Sequence, residues 1–491
     1  MSGTTSKTRD ARWLALIVLC AGMLMIILDG TIVNVALPSI QDDLQFSQSG
    51  LAWIVNAYLI AFGGLLLLAG RLGDLIGRRR VFLSGLAVFT IASLLCGLAQ
   101  TQELLIAARF VQGVGGALAS AVILGMIVTM FPEPGEQARA IGVFSFVASA
   151  GASIGLLAGG VLTQGINWHW IFFVNVPIGI VVAALAYRLL AAERGIGLSE
   201  GADVVGAVLV TGALMLGVYT IVKAADYGWS SVRTVGLGAV AIGLLAGFLV
   251  RQATAAKPLL PLRIFASRNV AGANVIQVLM VAGMFGMFFL GALYLEKVLG
   301  YDPLEIGASY LPVSVGIGAL SLRFAAQLTM RYGARRVLGA GLSLIVIGLL
   351  LFARTPVGAS FVVDILPAML LLGVGAGVSF PALMTLAMSG ATASDSGLAS
   401  GLVSTTQQVG GALGLAVLAT LSTSRTRELV SGGQDPVAAL TSGFHLAFAV
   451  GAGLVAVAIV LVITVLRPAA AEQDESAEWE SELETEPASA A

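Results

Sequence analysis

Charge is what this sequence lacks most. Only 11% of its 491 residues are Asp, Glu, Lys or Arg, against about a quarter in soluble domains. A chain so poor in charge cannot clothe an ordinary water-facing surface. Cysteine is scarce too: Cys20 and Cys96 sit inside apolar runs, and two such residues make neither a disulfide framework nor a metal-ligand spacing. The only histidines, His169 and His445, are far apart in sequence and form no ligand pair, so no metal is expected. No G-x-x-x-x-G-K-[ST] occurs, nor any Gly-Lys pair, which excludes a P-loop nucleotide site. No clustered nucleophile or cofactor constellation stands out, so neither an enzyme nor a cofactor is expected. Nothing points to nucleic acid.

What is present is apolar. Hydrophobic residues make up 58% of the chain, and the bilayer is its solvent. Runs near the roughly 20 residues that span a membrane fall at 13–36, 50–70, 81–99, 104–130, 139–162, 168–190, 204–223, 234–250, 270–294, 306–326, 336–353, 363–388, 397–421 and 441–466. That is fourteen spans. With the N-terminus inside, 19 of the 26 Lys and Arg fall on the cytoplasmic side, 6 outside, and Arg109 within a span. This asymmetry follows the positive-inside rule and predicts a multi-pass protein of the cell (plasma) membrane with both termini cytoplasmic. The first span continues past signal-peptide length and is expected to be retained. The last segment carries 8 of the 27 acids and reads as a disordered acidic tail.

The chain repeats itself. "RLGDLIGRRRVFLSGL" (71–86) matches "QLTMRYGARRVLGAGL" (327–342) at an offset of 256, and "GVGGA" (113–117) answers "GVGAG" (373–377) at 260. A six-span half occupies about 190 residues, so the offset leaves room for two further helices. The expected organisation is a cytoplasmic N-terminus (1–12), a six-helix half (13–190), two inserted helices with their linkers (191–268), a second six-helix half (269–466) and the tail (467–491). Related halves around a central site are an arrangement that alternating-access transporters use. A channel is disfavoured by the same duplication.

Five stretches in order, "LDGTIVNVALP" (28–38), "GRLGDLIGRRR" (70–80), "RFVQGVGGAL" (109–118), "GASIGLLAGG" (151–160) and "NWHWIFFVNVPIG" (167–179), resemble the major facilitator superfamily. More narrowly they resemble its fourteen-span drug:proton antiporters of the EmrB/QacA type. The likeness covers roughly 13–466. It implies an all-α integral membrane protein with the major facilitator fold, exporting a small molecule in exchange for protons. One position departs: where that family has Pro after the second glycine of the fifth-span motif, this chain has Leu156.

Each motif has a physical reading. Gly70, Asp74, Gly77, Arg78 and Arg79 lie in a tight inner turn. The arginines either simply hold the loop inside or, as the resemblance implies, form a gating latch in which Asp74 pairs with the other half. Gly151, Gly155 and Gly159 share a helix face that lets another helix approach closely; the resemblance adds that this helix bends or seals the cavity. Asp29 lies nine residues before Pro38, roughly 13 Å from its helix end, near mid-bilayer. A charge facing lipid there costs at least about 2.5 kcal/mol, so Asp29 is expected to face a cavity. There it is either a proton-coupling carboxyl or a buried acid bonded to a neighbour through Thr31 or Asn34. Arg109, at a similar depth, is a static tether or, as the resemblance implies, a partner in proton transfer. Asn34, Asn56, Tyr58, Gln112, Asn274, Gln277, Gln407 and Gln408 are candidates for the cavity wall or for interhelical glue. Glu296 is an interface residue or a second acidic site. The expected function is proton-coupled export of amphiphilic drugs or antibiotics by a monomer, against export or import of another metabolite or lipid on the same fold.

Overall fold

In the computed structural model of the chain, residues 2–192, 195, 197, 201–388 and 396–467 are described. The expected acidic tail lies outside them, Arg467 excepted. The structure is all-helical, 86% helix, with no strand among the described residues. That follows from the solvent: in hydrocarbon each backbone N–H and C=O must be paired within its own segment.

Seven helices precede the insert: α1 (Ser2–Leu44), α2 (Gln48–Ile76), α3 (Arg78–Gly97), α4 (Gln102–Met130), α5 (Pro134–Gly165), short α6 (Trp170–Phe173) and α7 (Asn175–Leu189). Then come α8 (Val204–Tyr227) and α9 (Val232–Thr254). The remainder is α10 (Arg268–Lys297), α11 (Pro303–Ser309), α12 (Leu311–Ala319), α13 (Ala325–Tyr332), α14 (Ala334–Phe352), α15 (Leu366–Met388), α16 (Ser396–Ser431) and α17 (Pro436–Thr464). Polar caps set several starts: Ser47, Thr101, Ser231 and Ser267 each accept a backbone N–H of the helix they precede, and Asp302 with Glu305 closes a capping box.

Twelve helices among the described residues are long and apolar enough to cross a membrane. The other two expected spans fall on α5 and on the stretch Pro303–Tyr332. That stretch is not one helix. It breaks into α11, α12, a π-helical turn at Leu320–Phe324, and α13. Pro312 at the start of α12 lacks an N–H, and the chain restarts its hydrogen-bond ladder there.

The sequence repeats fold alike. Gly77 (φ 98°) and Gly333 (φ 82°) turn the chain between helices in a left-handed conformation open to glycine. Each N–H bonds the fourth carbonyl back, Gly73 at 3.0 Å and Thr329 at 2.9 Å. Where α3 crosses α4, a Cβ on Gly85 would lie 2.8 Å from the Gly115 oxygen; where α14 crosses α15, one on Gly341 would lie 2.8 Å from the Gly375 oxygen. Both crossings need glycine on both helices.

The bundle before α8 meets the bundle after α9 along α2–α16, α1–α10, and α5 with α11 and α12. Helix α8 lies over the α2–α16 line, touching both, while α9 packs chiefly on α8. A Cβ on Gly63 would meet Gln408 of α16 at 2.7 Å, so backbones approach closely under α8. Asp203 caps α8 and holds the hairpin together, accepting from Arg251 Nε at 2.9 Å and Gln252 Nε2 at 2.8 Å.

Candidate functional site

The site is built around the acid in the first helix. Asp29 is fully buried and Arg109 is 1% exposed, and Arg109 Nη1 reaches Asp29 Oδ2 at 2.6 Å. The other carboxylate oxygen accepts from Gln112 Nε2 at 2.7 Å and from Asn175 Nδ2 at 2.9 Å. Gln112 and Asn175 each also donate to Ser93 Oγ at 3.0 Å, and Ser93 donates to the Phe172 carbonyl. Arg109 completes its shell with the Ile54 carbonyl at 3.0 Å and Gln112 Oε1 at 2.7 Å. Its guanidinium lies 4.4 Å from the Tyr58 ring centroid and 5.7 Å from that of Phe172.

Every member sits on an element of the first bundle: Asp29 on α1, Tyr58 on α2, Ser93 on α3, Arg109 and Gln112 one turn apart on α4, Asn175 at the start of α7. Low-dielectric surroundings make each of these bonds strong and each vacancy costly. An unpaired charge here is expensive; this pair is charge-matched and hydrogen-bonded. Chemically the arrangement can do one thing well. It holds a carboxylate against a fixed cation, and changes its internal forces when that carboxylate takes a proton.

The geometry corrects the expectation that Asp29 faces a cavity: it is enclosed by protein donors. Gln112 likewise bridges this cluster rather than lining a cavity wall, and Tyr58 lies under the guanidinium. Thr31 and Asn34 do not hold Asp29. Thr31 donates to the Ile27 and Leu28 carbonyls and Asn34 to those of Gly30 and Thr31, all on their own helix. Ser93 and Asn175 were not legible as site residues. Ser93 stands in no motif, and Asn175, inside "NWHWIFFVNVPIG", is one uncharged polar residue among several there.

The remaining candidates scatter. Asn56 is fully buried on α2 with neither amide atom bonded, and Gln277 is buried with its oxygen unpaired. Asn274 ties α10 to α16 by accepting from Thr406 at 2.9 Å. Gln407 and Gln408 on α16 are half-buried. Glu296 sits apart from the cluster, 3.7 Å from Lys297, with one carboxylate oxygen buried and unpaired.

Gly151, Gly155 and Gly159 turn toward α1. A Cβ on Gly155 would strike Thr31 Oγ1, and one on Gly159 would come within 2.8 Å of the Ile32 oxygen. The stripe thus presses α5 onto the turns of α1 that flank Asp29. On its other side α5 meets α11: Gly307 would place a Cβ 2.6 Å from the Leu156 oxygen, and Gly160 one 2.8 Å from Leu304 Cα.

At one end of the bundle Asp42 of α1 accepts from Lys297 of α10 at 2.7 and 2.9 Å, and Gln164 of α5 donates to Asp302 at 3.0 Å. At the arginine-rich end Asp74 is 48% exposed and paired only with Arg78, at 3.5 Å, among the described residues. Arg78 also donates to the Gly125 carbonyl at 3.1 Å, and Arg79 donates to the Tyr187 carbonyl and stacks 4.9 Å from its ring centroid. Around Gly70 a Cβ would meet open space. The loop's arginines therefore bind their own bundle, and Asp74 has no partner across the molecule among the described residues.

Comparison with known proteins agrees with this architecture. Residues 19–415 match the model of the Major Facilitator Superfamily. The puromycin resistance protein of Streptomyces alboniger is 38% identical over 476 residues, covering 95% of this chain and 94% of that one. The cephamycin export protein of Amycolatopsis lactamdurans is 38% identical over 427 residues, covering 87% and 88%. Among solved structures, the bacterial homologue of the human lysosomal transporter Spinster, inward-facing and unoccupied, superposes with a TM-score of 0.67 at 16% identity, over 92% of this chain and 96% of that one. This chain is a multi-pass membrane transporter belonging to the Major Facilitator Superfamily.

Proposed function

We propose that the protein exports amphiphilic drugs or antibiotics across the bacterial plasma membrane in exchange for protons, by alternating access. The observation that carries this reading is the buried Asp29–Arg109 pair, in a chain whose relatives include a resistance protein and an antibiotic exporter. With α5 and the broken stretch Pro303–Tyr332 counted as spans, fourteen helices cross the membrane as six, two and six, with 13–190 and 269–466 as halves. The arginine-rich end and both termini face the cytoplasm, and the monomer is the working unit. Asp42–Lys297 then marks the external side.

Protonation of Asp29 cancels the charge that holds Arg109, which keeps the Ile54 carbonyl and Gln112. Helix α1 is then held to α4 by the neutral Gln112 bond in place of the ion pair, and α5, pressed onto α1 through Gly155 and Gly159, carries the shift to α11 at Gly307. Asp74, exposed while the Asp42 end is closed, is the group that would engage the second half when that end opens. Asn56, Asn274, Gln277, Gln407 and Gln408 supply the polar groups facing substrate between the halves, with Glu296 at the external rim.

Inverted membrane vesicles given puromycin in the outer medium as probe, and then a panel of amphiphilic compounds, test the reading. Accumulation should require a proton gradient, collapse with an uncoupler, and be indifferent to ATP. Accumulation that persists on ATP after the gradient is gone would overturn it.

A further inference from the structure

The end of the molecule bearing Asp42 also carries a cleft of about 430 Å3 between α1 and the turn joining α5 to α6. Ser39 and Asp43 of α1, Thr163 of α5, and Asn167, Trp168 and His169 of the turn line it. Two of its polar atoms have no hydrogen-bond partner: Thr163 Oγ1, on a residue only 8% exposed, and His169 Nδ1. Buried polar atoms left unpaired call for a polar occupant, and the space admits several waters.

The cleft is joined to the buried pair by contacts. Trp168 Nε1 donates to Asp43 Oδ2 at 2.9 Å, and the Trp168 ring stands edge-on to Phe172 at 6.3 Å. Phe172 in turn lies 5.7 Å from the Arg109 guanidinium that holds Asp29. Along α1, Asp43 is fourteen residues beyond Asp29, close to four full turns, so the two lie within about 40° of one face. Between them Ile32, Val35 and Ala36 are wholly buried and apolar, a dry plug about 15 Å long between Asp29 and Ser39.

We propose that this cleft is a water-filled chamber that takes protons from the external side and loads Asp29. This rests on the proton-exchange reading above and deepens it. A proton adds to the free His169 Nδ1, giving an imidazolium beside the Asp43 carboxylate. When the plug parts, that proton passes through water to an Asp29 carboxylate oxygen and the imidazole returns to its neutral form. The charged groups around the cleft leave this role to His169 and Asp43. Asp42 is held by Lys297, which also faces Glu296, and Asp302 is engaged by Gln164 and its own helix cap. Burial holds His169 below the usual imidazole range, with Asp43 pulling the other way.

The test is infrared spectroscopy of the full chain in vesicles with the Asp42 end outward, after an acid jump restricted to the outside. Wild type should develop a protonated-carboxyl band that Asp29→Asn removes. In His169→Gln and Asp43→Asn the band should rise at least tenfold more slowly to the same final height, and in the near-isosteric Thr163→Val by a smaller factor. A band that rises at the wild-type rate in all three overturns the chamber and leaves proton exchange standing. No Asp29-dependent band in wild type overturns both.

Discussion

At the scale of single residues, the chain pairs an acid and a base that lipid would reject singly. Asp29→Asn keeps the side-chain size and most of its hydrogen bonds but cannot give up a proton. The purified variant should fold and still equilibrate puromycin across vesicles, yet lose uphill accumulation and the proton released on substrate binding, read with a pH dye in weak buffer. Undiminished release would move the proton to another group, Glu296 first. Asn175→Leu deprives Asp29 and Ser93 of a shared donor, which should cost about 1–3 kcal/mol of stability, seen as a lower unfolding temperature in detergent. Asp29 and Arg109 were legible in the sequence because ionised residues inside apolar runs are rare. Ser93 and Asn175 were not, since uncharged polar residues are common in membrane helices and only the fold brings these two to the carboxylate. Sequence alone also turns Asp29 toward a cavity, because enclosure by partners on two other helices leaves no local signature.

At the scale of helices, glycine decides which pairs touch. Gly155→Val would drive two methyl groups into Thr31 and the Leu28 carbonyl. Overpacking of this kind costs about 1–3 kcal/mol or more, and because the contact flanks Asp29, transport should fall further than substrate binding does; parallel binding and vesicle assays check it. Gly70→Ala, into open space, should change neither. The Gly151, Gly155 and Gly159 stripe could be read from its four-residue spacing, as could the doubled turn at Gly77 and Gly333. The break between α11 and α13 could not. Pro303 and Pro312 were visible, but an apolar run has no period that tells a continuous helix from one interrupted at Leu320–Phe324.

At the scale of the whole molecule, polar contacts close one end, while at the other Asp74 pairs only with Arg78 among the described residues, and Arg78 and Arg79 bind their own bundle. Asp42→Cys with Lys297→Cys, bridged by a reducible bifunctional thiol reagent long enough to replace the lysine side chain, should stop transport and recover it on reduction; free transport by the bridged protein would show that this end does not move. Asp74→Asn should slow turnover several-fold with substrate affinity retained, since the loop is remote from the cavity. The placement of α8 over the α2–α16 line has one more consequence. Within the plane of the bilayer the transporter has a front and a back. Gly63 and Gly64 are sealed beneath α8, while along the α5–α12 line Ile154, Val161 and Val315 stand exposed on the outer surface. A compound that first dissolves in a leaflet therefore meets helices of the two halves directly on one flank alone, and a photoreactive lipid should label α5 and α12 while sparing the α2 segment around Gly63.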